Sequence, residues 1–219
     1  MTPARHADLG GQLGHSPVVP EPEGELWHAS WEPRALALTL AMGATGSWNI
    51  DISRDARETL PDYAVLSYYE IWIAALIKLL RERGMLADDE IAEGQALHAA
   101  PPVVRILQAD QVKAVLARGA STLRRAPAAP RFALGDAVRT RAAAVPHHTR
   151  LPGYARGKRG IVRALLGTHV FADSHAQGLG EEPCPLYTVA FDGHELWGGE
   201  STERLVVSVD AWEPYLEPA

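Results

Sequence analysis

Arginine holds planar oxyanions better than any other side chain, because its guanidinium presents parallel N–H donors in a rigid fork. Two arginines, Arg150 and Arg156, fall in residues 147–157, His-His-Thr-Arg-Leu-Pro-Gly-Tyr-Ala-Arg-Gly, and the surrounding sequence is short of acid. Between Asp136 and Asp173 there are seven Lys/Arg and no Asp or Glu. A solvated basic loop is the ordinary account of such a run. The missing carboxylates weigh against it and predict an oxyanion that the chain does not itself carry.

Other residues with chemistry stand in pairs. Arg54 and Glu58, four apart on a predicted helix, would make a surface ion pair worth about 0.3 kcal/mol in the weaker orientation. Tyr68 and Trp72, also four apart, would share one helix face, where rings either pack or line a pocket. No Gly-x-Ser-x-Gly is present, and the single cysteine, Cys184, sits between Pro183 and Pro185, so no nucleophile stands out. Nine histidines could suggest a metal, but His147-His148 is an adjacent pair whose rings diverge and no His-x-x-x-His or His-x-His occurs. One cysteine also excludes a thiolate cluster or an internal disulfide.

Three zones must position these residues. Residues 1–26, with Gly10, Gly11, Gly14, Pro17, Pro20 and Pro22, predict an extended arm. Residues 27–125 carry helical signals. One apolar helix ends at Gly43, and a second is capped by Asp51 and stopped by Pro61. A third, from Leu66 to Gly84, is apolar on nearly every face, which demands cover on two sides. Residues 88–98 and 103–118 predict further helices. Residues 126–130, Ala-Pro-Ala-Ala-Pro, break the pattern as a linker, and from 131 to 219 the period becomes two. Short strands are expected at 137–140, 159–164, 169–171, 186–191, 195–197 and 205–209, enough for a small barrel.

Composition bounds the partners. With 219 residues, 47% apolar, the chain suits a soluble globular protein, and no apolar run suits a membrane span or a signal peptide, so the expected compartment is the cytoplasm. Residues 131–219 hold nine Lys/Arg against eleven Asp/Glu, and residues 1–130 hold twelve against sixteen. Gly135-Asp136-Ala137-Val138 and Gly157-Lys158-Arg159-Gly160-Ile161-Val162 resemble small-barrel modules of ribosomal and transcription proteins. The acidic totals argue against nucleic acid, since counterion release needs several phosphate contacts at once.

Taken in order, a set of short motifs resembles one family. It comprises Asp8-Leu9-Gly10-Gly11, Gly14-His15, Trp31-Glu32, Trp48-Asn49-Ile50-Asp51 leading to Arg54 and Glu58, and Ser67-Tyr68-Tyr69-Glu70-Ile71-Trp72. It continues with His148-Thr149-Arg150, Tyr154-Ala155-Arg156-Gly157, His169-Val170-Phe171-Ala172-Asp173, Leu186-Tyr187-Thr188-Val189, Glu195-Leu196-Trp197-Gly198 and Trp212-Glu213-Pro214-Tyr215-Leu216. Each is weak alone, but in this order, over most of the chain, they are similar to the β subunit of nitrile hydratase.

The resemblance implies an α+β chain with a helical N-terminal domain and an SH3-like β-barrel. It implies a lyase that hydrates a nitrile to the amide, inactive without a companion α subunit in an αβ unit that doubles to α2β2. Non-corrin cobalt or non-haem iron would sit on that α subunit in a Cys-rich loop with two oxidised cysteines, and no metal ligand on this chain. Arg54 and Arg150 would bond the cysteine oxygens as catalytic residues, with Tyr68. Ile50, Tyr68 and Trp72 would line the substrate pocket, and Glu58, His148, Tyr154 and Arg156 would support it. Ser53 departs from the bulky aromatic common in the family. Alternatives are a subunit of a thiocyanate hydrolase-like enzyme, whose corresponding segments are divided between chains, and a maturation protein resembling only the N-terminal half. Neither nucleic acid nor membrane is an expected partner.

Overall fold

In a computed structural model, residue 8, residues 10–11, 17–200 and 205–219 are described. The rest of the expected arm, including Leu9, Gly14 and His15, lies outside the described residues. Contacts divide the chain into two units, Gln12–Gly119 and Met1–Gly11 with Ala120–Ala219.

The first unit is helical. α1 (Glu32–Gly43) begins with a proline in its first turn, where a missing N–H costs nothing. α2 (Ile50–Glu58) is capped by Asn49 rather than Asp51: the Asn49 side-chain oxygen accepts the N–H groups of Asp51 at 3.0 Å and Ile52 at 2.8 Å. Asp51 therefore falls inside the first turn, facing Arg54. α3 (Tyr68–Glu82) opens with the Glu70 carboxylate accepting the Ser67 N–H at 2.7 Å. Ala75, Leu76 and Leu79 form its buried stripe and pack with Trp48, Ala56 and Leu60 of this unit. α4 (Asp88–Glu93) and α5 (Val112–Arg118) are shorter than expected. Residues 103–108 are not helical, and the helix of this segment starts only at Val112.

The second unit is a six-stranded antiparallel sheet: β1 (Leu123–Arg124), β2 (Ala137–Thr140), β3 (Arg159–His169), β4 (Cys184–Asp192), β5 (Val206–Trp212) and β6 (Leu216–Pro218). The order is β5-β4-β3-β2-β6, with β1 on β3. The ladder ends at β5 and β6, so the architecture is α+β with a sheet whose strand pairing is not closed. β3 runs through the expected turn between residues 164 and 169, bulging between Val162 and Ala164 and again between Leu165 and Gly167. Gly167 takes the second bulge at φ +96°, a conformation other residues adopt only with strain. Residues 172–176 form α6 (Ala172–Ala176) and residues 193–197 form α7 (Gly193–Trp197) where a strand was expected, because the Asp192 side chain accepts the His194 N–H and starts a helix.

The sheet's core gathers Val138, Val162, Tyr187, Val189, Phe191 and Ala211, all buried. Leu151 and Ala155, from the connection between β2 and β3, enter the same core. That fastens residues 147–157 to the sheet.

Candidate functional site

Arg150 stands between two buried anchors. His148 and Leu151 are buried while Arg150 is exposed, so the backbone is held and the guanidinium is released to solvent. The Arg150 N–H donates to the Tyr215 hydroxyl at 3.0 Å, and that hydroxyl donates to the Asp173 carboxylate. The His147 ring lies 3.8 Å from Asp173 Oδ2 while its Nδ1 contacts the His148 carbonyl at 2.9 Å. Burial pushes the Asp173 carboxyl up from its ordinary range, and the same burial, with Asp173 beside it, pushes the Tyr215 phenol up. These groups line a cavity of about 210 Å³ shared with Arg141, Arg156 and Phe171. Among the described residues the Arg150 guanidinium has no hydrogen-bond or ion-pair partner.

Arg156 behaves differently. Its Nη1 lies 2.9 Å from Asp8 Oδ2, its Nη2 reaches the Leu151 carbonyl at 3.4 Å, and the Gly153 N–H donates to Asp8 Oδ1 at 3.0 Å. The acid-free stretch thus does have a carboxylate of its own, brought from the far end of the chain. Tyr154 stacks on Trp197 with centroids 5.9 Å apart, and a Cβ on Gly11 would come within 2.7 Å of the Tyr154 Cβ. Arg156 and Tyr154 brace the loop, so of the two arginines in residues 147–157 Arg150 is the one left to meet an outside anion.

In the helical unit, Arg54 Nη1 lies 2.8 Å from Asp51 Oδ1, its side chain 40% exposed. The acid partner lies N-terminal to the base, the favourable order, yet a half-exposed pair of this kind is worth only a few tenths of a kcal/mol. Glu58 ends the same helix, partly buried. Tyr68 and Trp72 do meet, with ring centroids 5.6 Å apart, and Tyr69 joins both at 5.1 and 5.9 Å. Tyr68 is 64% and Ile50 53% exposed. Neither is core, so an apolar wall facing outward is available here.

Sequence reasoning missed Arg57. Its guanidinium lies 4.4 Å from the Trp72 ring centroid and its Nη2 donates to Ser53 Oγ at 2.8 Å. Burial lowers its pKa. Residues 53 and 57 stand four apart on one helix, but no spacing rule links either of them to residue 72. The roles of Asp173 and Tyr215 were equally invisible, although both fall in motifs of the resemblance.

Among the described residues no group of three or more His, Cys, Asp or Glu side chains could hold a metal ion. No described helix is long and apolar enough to cross a membrane. What the arrangement can do is donate charge-assisted hydrogen bonds from Arg150 and present aromatic surface from Tyr68 and Trp72.

The chain thus joins a helical unit to an antiparallel sheet unit, and each of the two is matched by a family model. The family model described as nitrile hydratase beta subunit, N-terminal, matches residues 4–118, and that described as nitrile hydratase beta subunit, C-terminal, matches residues 121–218. The chain belongs to the nitrile hydratase β-subunit family. It is 38% identical to the low-molecular weight cobalt-containing nitrile hydratase subunit beta of Rhodococcus rhodochrous over 97% of this chain and 98% of that one. It is 31% identical to the cobalt-containing nitrile hydratase subunit beta of Pseudonocardia thermophila, over 96% and 94%. A solved structure of recombinant apo thiocyanate hydrolase from Thiobacillus thioparus matches at 26% identity and TM-score 0.39, covering 45% of this chain and 80% of that one.

Proposed function

We propose that this chain supplies one half of the active site of an enzyme that adds water to a nitrile carbon and releases the amide. The other half is a companion α subunit that holds non-corrin cobalt or non-haem iron in a Cys-rich loop; relatives named as cobalt-containing favour cobalt. The metal supplies Lewis acidity toward the nitrile or a water. This chain's residues orient and enclose. Arg54 and Arg150 donate to the oxygens of the partner's oxidised cysteines, a bidentate match of fork to sulfinate. Ile50, Tyr68 and Trp72 form the apolar wall of the substrate channel, and the Tyr68 hydroxyl hydrogen-bonds near the attacking water. Glu58, His148, Tyr154 and Arg156 support these groups.

The observation that carries the reading is the Arg150 guanidinium, exposed and without a partner among the described residues, on a loop anchored by the buried His148 and Leu151. The sheet unit is in this reading a small SH3-like barrel. Its support is a four-strand meander, β2 to β5, whose first strand also pairs with a short last strand after the 3₁₀ turn Glu213–Tyr215. The αβ unit doubles to α2β2 and works in the cytoplasm.

The test is coexpression with the α subunit, scoring acetonitrile and benzonitrile hydration. Arg150→Lys keeps the charge and loses the fork, so turnover should drop by about 100-fold or more while the two chains still co-purify. Unchanged turnover, or hydration by this chain purified alone, would overturn the assignment.

A further inference from the structure

We propose that Tyr215 and Asp173 are positioning residues for Arg150: the pair fixes the Arg150 backbone so that its guanidinium meets the partner's anion. The proposal rests on the role just given to Arg150. Its ground is a hydrogen-bond relay in one direction. A phenol can accept the Arg150 N–H squarely only if its own proton points elsewhere, and the Asp173 carboxylate takes that proton.

Burial makes the relay stiff. Tyr215 is 4% and Asp173 6% exposed, and the Tyr215 ring is wedged against Phe171 at 5.6 Å and Trp212 at 6.1 Å. The two residues come from different parts of the sheet unit, α6 and the turn between β5 and β6. They converge on the backbone of the loop that carries Arg150. A guanidinium at the end of a long side chain magnifies any tilt of its own backbone, and a misplacement near 1 Å costs on the order of 100-fold in rate. A mere core fastener would need no polar atoms: Phe at 215 and an apolar residue at 173 would fill the space without a desolvated carboxylate.

The experiment uses the assembled αβ complex and three variants. Tyr215→Phe keeps the ring and removes the relay. We expect kcat to fall between about 10- and 100-fold with KM little changed, since the substrate itself is not touched. Combined with Arg150→Lys, it should cost almost nothing further, because the fork that it positions is already gone. Asp173→Ala should match Tyr215→Phe, and Asp173→Asn, which keeps an acceptor for the phenol, should restore most of the turnover. Independently of turnover, amide exchange at Arg150 in Tyr215→Phe should rise at least about tenfold while β3 and β4 stay protected.

Full turnover in Tyr215→Phe, or losses that add to those of Arg150→Lys, would overturn the proposal. So would exchange that rises equally across β3 and β4 with kcat intact, which would make the pair a core fastener. If Arg150→Lys alone leaves turnover unchanged, the role of Arg150 fails instead, and the exchange result still reports whether the relay holds its backbone.

Discussion

Asp8 and Arg156 form the ion pair that closes the acid-poor stretch, with Asp8 Oδ2 2.9 Å from Arg156 Nη1 and side chains only 14% and 11% exposed. The second carboxylate oxygen takes the Gly153 N–H. One carboxylate thus holds a side chain and a backbone donor of the same loop, while the relay through Tyr215 holds that loop at Arg150.

Removing one member of a largely buried pair leaves the other charged and unpaired. Asp8→Ala should therefore lower stability by about 2 kcal/mol, less than for a fully buried pair because water reaches both groups. In a chain of this size that is a drop of roughly 6 °C in Tm. Asp8→Asn keeps an acceptor for Gly153 and should lose about half as much. A melting curve of Asp8→Ala that overlays the parent's would show that the arm does not clamp the loop.

This pair also marks where sequence reading stops. The change from helical to strand period after the Pro/Ala segment was legible, as were β2 and β5, which bury one face at period two, and β4, whose apolar run is buried on both faces; α3, apolar on nearly every side in sequence, buries one stripe. Contacts between distant segments leave no period, so Asp8 could not be matched with Arg156, nor Arg57 with Trp72. Glu195-Leu196-Trp197 looks like a strand over three residues, and only the Asp192 cap makes it helical. Arg54, Arg150, Tyr68 and Trp72 were recognisable through ordered motifs and not through their chemistry. An arginine three residues after an aspartate on a helix is, physically, an ordinary surface pair. What the structure adds is the contrast between Arg156, which is satisfied within the chain, and Arg150, which is not.

Asp173 gives a pH prediction with a definite sign. Burial raises its folded-state pKa above the ordinary value, so the folded chain holds the proton more tightly than the unfolded chain does. That contribution to stability is full below the ordinary carboxylate pKa and is lost as pH rises through the folded value. Asp173→Asn does not titrate there. The stability of the parent minus that of Asp173→Asn should therefore fall as pH climbs from about 4 and then level off. The His147 ring, 3.8 Å away, and the Tyr215 and Thr149 hydroxyls are the same in both proteins. Urea midpoints of the two at pH 4, 5, 6 and 7 measure the difference; a difference that grows with pH would contradict the sign.

Cys184 opens β4, opposite His169 of β3, and is partly buried. Burial first, then the charges of Glu213, Asp173 and Glu182, push its thiol up to about 12. Only the thiolate attacks an alkylating reagent, and an unperturbed cysteine titrates near 8.5. At pH 8 the thiolate fraction of Cys184 should be depleted by about three orders of magnitude relative to a free thiol. Iodoacetamide labelling followed by mass spectrometry should accordingly be slower in the folded chain by about that factor, and guanidinium should restore the ordinary rate. Raising the pH from 8 to 9 should speed labelling of the folded chain by about tenfold, because a group titrating so high gains thiolate in direct proportion to hydroxide. Labelling at the free-thiol rate, rising only about threefold between those two pH values, would place the thiolate in solvent and remove the buried carboxylate neighbourhood from the account of β4.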